Sequence, residues 1–131
     1  MNISHIRDWF KTIDPSFTTG GYFLGRLQDP TREKLISFRR GTVQSQQKAV
    51  GGMVNTSYSR IACNCIIHWM KDVKASETKM EALHDLLLNI SHPTIGGHEI
   101  VSLTVRNMVD IGVDENGIQE YALDFELMYK R

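Results

Sequence analysis

The chain has 131 residues, 41% of them hydrophobic and 23% charged, with three prolines, which describes one ordinary globular domain large enough to build its own core. General disorder, a collagen-like chain and a repeat architecture are excluded, and the longest uncharged apolar stretch, Ile61 to Met70, is broken by Asn64 and His68 and falls well short of the ~20 residues of a membrane helix. Net charge is zero, which argues against a dedicated nucleic-acid binder, but residues 1–65 carry nine Lys/Arg against four Asp/Glu while residues 66–131 carry six against eleven.

Residues 2–14 are expected to form an amphipathic helix: Asn2 or Ser4 caps it, Ile3, Ile6, Phe10 and Ile13 form one stripe, and Asp14-Pro15 ends it. Tyr22 to Leu27 reads as a short strand. Asp29-Pro30-Thr31 is turn chemistry, and Lys34 to Arg40 reads as a second strand, with Ile36 and Phe38 on one face and Leu35 on the other; the short connection predicts a hairpin. Residues 41–57 have no hydrophobic period and are rich in Gln, Gly and Ser, which predicts a long mobile loop; a strand at Ala49–Val54 is the alternative. Residues 58–70 alternate as an interior strand, Ile61, Cys63, Cys65, Ile67 and Trp69 facing one way and Ala62, Asn64, Ile66 and His68 the other. Ser76 is expected to cap a helix running to about Asn89, with Met80, Leu83, Leu87 and Ile90 on its stripe and Leu86 widening it. Gly96-Gly97 turns into a strand over Glu99–Arg106, Asp114-Glu115-Asn116-Gly117 makes a hairpin turn, and the last strand, Gln119–Tyr129, points Tyr121, Leu123, Phe125, Leu127 and Tyr129 inward with Glu120, Asp124 and Glu126 outward. The fold class is therefore α+β: a single domain over 1–131 with an antiparallel or mixed sheet of about four to five strands and two helices on one face.

No constellation for catalysis emerges. Cys63 and Cys65 point the same way along a strand, but a tetrahedral metal site needs two further ligands, so they read as buried, reduced core thiols. His92 and His98 flank one turn without a third ligand. No nucleophile elbow, phosphate loop or dinucleotide fingerprint is present, and His68 lies on the opposite strand face from Cys65. The sequence thus points to no catalytic, cofactor or metal residues. Its split charge suits a subunit that packs head to tail on copies of itself, with Arg26, Arg39 and Arg40 as the basic half of the interface and Asp114, Glu120 and Glu126 as the acidic half.

The stretches IRDWF, GYFLGRLQDPTREKLISFRR, AVGGM, YSRIACNCIIHWMKD with SETKMEALHDLLLN, and VDIGVDENGIQEYALDFELMYKR together cover nearly the whole chain. The run Asp110, Gly112, Asp114, Gly117 precedes an aromatic-rich last strand. In these the chain resembles small minor capsid proteins of tailed bacteriophages and prophages of Gram-positive bacteria, related to the tail terminators of long-tailed phages. The resemblance implies a non-enzymatic virion protein of the head–tail junction, assembled in the host cytoplasm. It implies a ring, typically a hexamer, that caps the tail tube and meets the head connector, with no cofactor, no sequence-specific nucleic acid and no membrane. A head-completion protein is the alternative within that group; a cytoplasmic ligand-binding module or a small hydrolase lies outside it.

Overall fold

In the computed structural model, which describes residues 1–27, 32–43 and 57–131, six strands and two helices follow one another along the chain. They are α1 (Ile3–Ile13), β1 (Tyr22–Leu24), β2 (Leu35–Arg40), β3 (Tyr58–His68), α2 (Val73–Asn89), β4 (Thr94–Ile95), β5 (His98–Val113) and β6 (Gln119–Lys130). The sheet order is β1-β2-β3-β6-β5-β4. All pairs are antiparallel except β1 with β2, so the fold is α+β with a mixed sheet.

The β3–β6 ladder is unbroken from Tyr58↔Lys130 to His68↔Glu120. Period-two alternation puts Ile61, Cys63, Cys65 and Ile67 on the same side as Tyr121, Leu123, Phe125 and Leu127, as expected. Ile36 and Phe38 of β2, Ile6 and Phe10 of α1, and Met80, Leu83 and Leu87 of α2 join them in one buried cluster. Both helices therefore cover the same face. Ile3, Ile13, Leu86 and Ile90 pack at its margin, and Trp9, outside the expected stripe of α1, is buried with it.

Local chemistry sets the helix ends. The Asn2 side chain accepts from the amides of Ser4 and His5, and the Asn2 amide donates back to His5 Nδ1 at 3.2 Å, forming a reciprocal cap. Asp14 closes α1 and is itself buried; Lys79 Nζ donates to its Oδ2 at 2.6 Å and to Ser16 Oγ at 2.7 Å. The same ammonium lies 5.0 Å from the Trp69 ring centroid and 5.5 Å from that of Phe17, so one cation fastens α2 to the end of α1.

β5 is where the sheet curls. Its register with β6 slips between Ile100 and Ser102, between Val105 and Asn107 and between Asp110 and Gly112. Each bulge bends the strand and adds twist. α1 consequently touches β1 and β2 toward one edge of the sheet and β4 at the other. The contact with β4 is close: a Cβ on Gly96, whose φ is +57°, would lie 2.8 Å from the His5 ring, so only glycine fits there.

Several expectations are corrected. β1 and β2 are not a hairpin: Tyr22 pairs with Ile36 and Leu24 with Phe38 in parallel. β1 also stops at Leu24, since Gly25 leaves the extended region at φ +86°. The cap of α2 is Asp72, whose side chain accepts from the Lys74 amide. Ser76 is buried within the helix and donates its hydroxyl to Met70 O at 3.2 Å. The strand expected at Glu99–Arg106 runs on to Val113, since the bulges let pairing with β6 continue; Thr94–Ile95 supplies a sixth strand. The Asp29-Pro30-Thr31 turn, and most of the loop expected at 41–57 with the alternative strand at Ala49–Val54, lie outside the described residues.

Phe125 is fully buried in the middle of the core. Phe125→Ala is expected to cost about 3–5 kcal/mol, read as a large drop in the urea midpoint; an unchanged midpoint would mean the inward face of β6 is wrongly assigned.

Candidate functional site

The side of the sheet away from the helices carries the polar residues of β3 and β6. At one end the β5–β6 turn is organised by Asp114: its Oδ1 accepts from the amides of Asn116 at 2.8 Å and Ile118 at 2.9 Å. Gly117 takes the positive φ, +80°, that the turn requires. Oδ2 of the same carboxylate lies 3.2 Å from Nε2 of His68, which is 1% exposed. Glu120, directly across from His68 in the ladder, brings a third ligand-type atom, all within 4.8 Å of one another. These are the donor types of a divalent-cation site, but half of Asp114 is already spent on the turn. The nearest contact is the 3.2 Å approach of the imidazole to Asp114 Oδ2, which brings the turn against β3 without hydrogen-bond geometry.

Further along the same side, Glu126 stands between Arg60 at 3.7 Å and Arg106 at 3.9 Å. Arg106 also donates to Thr42 O at 2.8 Å. Two of the three expected acidic interface residues, Asp114 and Glu126, are therefore half-buried and engaged inside the subunit. Glu120 is half-buried as well. Outward-pointing residues on a curled sheet are partly covered by their neighbours, which strand alternation does not reveal.

The basic residues are placed differently. Arg26, Arg39 and Arg40 are all exposed. Arg39 Nε donates to Gly25 O at 3.2 Å and Arg40 Nη2 to Met1 O at 3.3 Å. These bonds use backbone carbonyls and leave the positive charge uncompensated; neither arginine pairs with a carboxylate among the described residues. β1 covers β2 only as far as Phe38, so both arginines stand at an uncovered strand end.

Their counterparts include Asp110, from the Asp110–Gly117 run noted in the sequence, and three α2 carboxylates that the sequence reading did not single out. Between α2 and β5 lies a groove lined by Glu77, Glu81, Asp85 and Asp110 above Met80, Val105, Met108 and Tyr121. The three α2 carboxylates are at i, i+4 and i+8, which places them along one helix face, a spacing legible in the sequence. What it did not show is that β5 lies opposite that face. Tyr121 is 4% exposed and its hydroxyl is buried without a hydrogen-bond partner. Burial pushes its phenol above the ordinary tyrosine value, and the charges of Asp110 and Glu77 push it further in the same direction. Beyond the groove, Val109, Ile111 and Val113 are exposed along the outer half of β5, a long strand that β4 covers only at Glu99 and His98.

Elsewhere the chemistry is structural. Cys63 and Cys65 lie with their sulfurs 3.7 Å apart in the core. Burial, with Cys63 alongside, holds the Cys65 thiol well above the ordinary cysteine range, the opposite of a nucleophile's environment. His92 and His98 each approach a backbone carbonyl, of Ile100 at 3.4 Å and of Lys130 at 2.9 Å, rather than each other. In comparisons with known proteins, a family model described as "Bacteriophage tail terminator protein" matches residues 6–131, and no curated protein matches.

Both thiols are expected to resist a thiol reagent in the folded protein and to react only when it unfolds. Reaction in native buffer at the rate of a free thiol would show that β3 opens on its own.

Proposed function

The chain belongs to the bacteriophage tail terminator family, and from that premise we propose that copies of it close into a ring, a hexamer, on the head-proximal end of the tail tube. The family makes it a structural, non-enzymatic virion protein that interacts with the tail tube. In the proposed arrangement the ring stops tube growth and presents its other surface to the head connector. Such work needs shape and complementary surfaces and no reacting group, which agrees with thiols buried in the core and side chains committed to holding turns.

A ring closes only through a heterologous interface, one patch of the subunit against a different patch of the next. The observation that carries this reading is the separation of uncompensated charge. Arg26, Arg39 and Arg40 sit at the β1–β2 side of the sheet and the carboxylates gather at the β5–β6 side, with β3 and β6 between β2 and β5. Like sides of two subunits repel, and unlike sides attract, so charge selects head-to-tail docking. Glu120, with Asp114 and Glu126 behind it, contributes to the acidic side even though two of the three also serve inside the subunit. Exposed ion pairs are each worth only ~0–1 kcal/mol, so apolar contacts, with Val109, Ile111 and Val113 among the candidates, supply most of the association. The tube acts as a template that brings subunits together.

Purified subunits added to growing tail tubes are expected to cap them and narrow their length distribution in electron micrographs, less so as salt is raised. Arg39→Glu with Arg40→Glu is expected to leave the unfolding free energy within about 0.5 kcal/mol of wild type and to abolish capping. Normal capping by that variant at low salt would overturn the charge-directed arrangement.

A further inference from the structure

We propose that the groove between α2 and β5 is a socket for an arginine of a neighbouring copy of this chain, supplied by the Arg39–Arg40 end of β2. The inference rests on the ring reading above and names the residues that meet.

The groove has the parts such a socket needs. Its floor, Met80, Val105 and Met108, offers apolar surface to the methylene stem of a long side chain. Its walls carry Glu77 and Glu81 from α2 and Asp110 from β5. None of the three carboxylates has a cationic partner within the subunit among the described residues. Asp110 accepts from the Gly112 amide through Oδ1 at 2.8 Å, which orients its second oxygen independently of any partner. At the bottom the Tyr121 hydroxyl is buried and has no hydrogen-bond partner among the described residues. A buried polar atom left unpaired costs free energy that an incoming N–H donor recovers. Arg106 also lines the groove, but its Nη1 is bonded to Thr42 O and faces Glu126, so it does not neutralise the carboxylates.

The occupant follows from geometry and charge. A guanidinium presents a planar fork of N–H donors that binds a carboxylate and a hydroxyl together, which a compact ammonium does less well. Arg39 and Arg40 are exposed and lack a carboxylate partner among the described residues, whereas Arg60 and Arg106 already face Glu126. In the sheet, β3 and β6 separate β2 from β5, so plug and socket lie on different sides of the subunit, and repeated docking runs head to tail.

The experiment is a charge exchange, read as the association of subunits by analytical ultracentrifugation, alone and with isolated tail tubes. Glu77→Lys with Glu81→Lys is expected to weaken association about tenfold or more, and Arg39→Glu with Arg40→Glu to do the same. A chain carrying all four changes is expected to recover most of that loss. Tyr121→Phe removes the unpaired hydroxyl without disturbing the core, so its denaturation midpoint should hold or rise while association weakens. The socket is overturned if groove variants associate like wild type, or if the fourfold chain is no better than either reversed pair. It is equally overturned if groove variants still form rings and lose only the tail tube, which would assign the groove to the tube protein. In each of these cases wild-type rings would still form and the proposed function would stand. Wild-type subunits that never associate, with or without tubes, would overturn both.

Discussion

β3 and β6 lie side by side from Tyr58↔Lys130 to His68↔Glu120, and the side chains of both strands alternate with period two. A slip of one residue would turn Ile61, Cys63, Cys65 and Ile67 away from Tyr121, Leu123, Phe125 and Leu127 and expose one set to water. Burying a side chain of that size contributes about 1.5–3 kcal/mol, so slipped registers lose by a wide margin. Everything else is placed relative to this pair. β2 adds on one side and β5 on the other, and the helices come to the face that the alternation leaves apolar.

From that centre outward the subunit becomes asymmetric. On the β2 side a short parallel strand covers Ile36 to Phe38 and leaves Arg39 and Arg40 at an end that β1 does not cover. On the β5 side a strand of 16 residues, bulged three times against β6, is covered by β4 only at its start. A long strand with a free edge and exposed β-branched side chains invites pairing with another chain unless something blunts it; here bulges bend it and carboxylates from α2 stand over it. The result is two unlike sides, one basic and one acidic, on a scaffold that the core holds rigid. In the ring proposed above this asymmetry has a use, because two identical sides would favour closed dimers and two unlike sides permit a ring.

The polar interactions divide into those that hold the subunit and those left over. Asp14–Lys79, His68–Asp114 and the Glu126 group with Arg60 and Arg106 are half-buried or deeper and join elements far apart in sequence. Lys79 alone links the end of α1, the loop carrying Phe17 and the Trp69 ring. Among the described residues, the groove carboxylates, the β2 arginines and the Tyr121 hydroxyl have no such partners. That division distinguishes charges that maintain the fold from charges available to a neighbour.

The sequence by itself determined what depends on contacts near in the chain. α1 with its Asp14-Pro15 stop, the inward faces of β3 and β6, the Asp114–Gly117 turn, and the burial of Cys63 and Cys65 are all consequences of period and turn chemistry, whereas the choice of Asn2 over Ser4 as the cap of α1 came from the structure. The family was legible because those elements recur together over nearly the whole chain. The tertiary structure alone decided what depends on partners distant in sequence. The parallel pairing of β1 with β2, the continuation of β5 through its bulges, and the placement of α2 over β5 each follow from which strand lies alongside. Alternation says only that Glu126 and Asp114 point outward. That Arg60, Arg106 and His68 meet them there, while Glu77, Glu81 and Asp110 meet no cation among the described residues, is settled by the curl of the sheet, because burial and pairing of a charge depend on neighbours that sequence spacing does not encode.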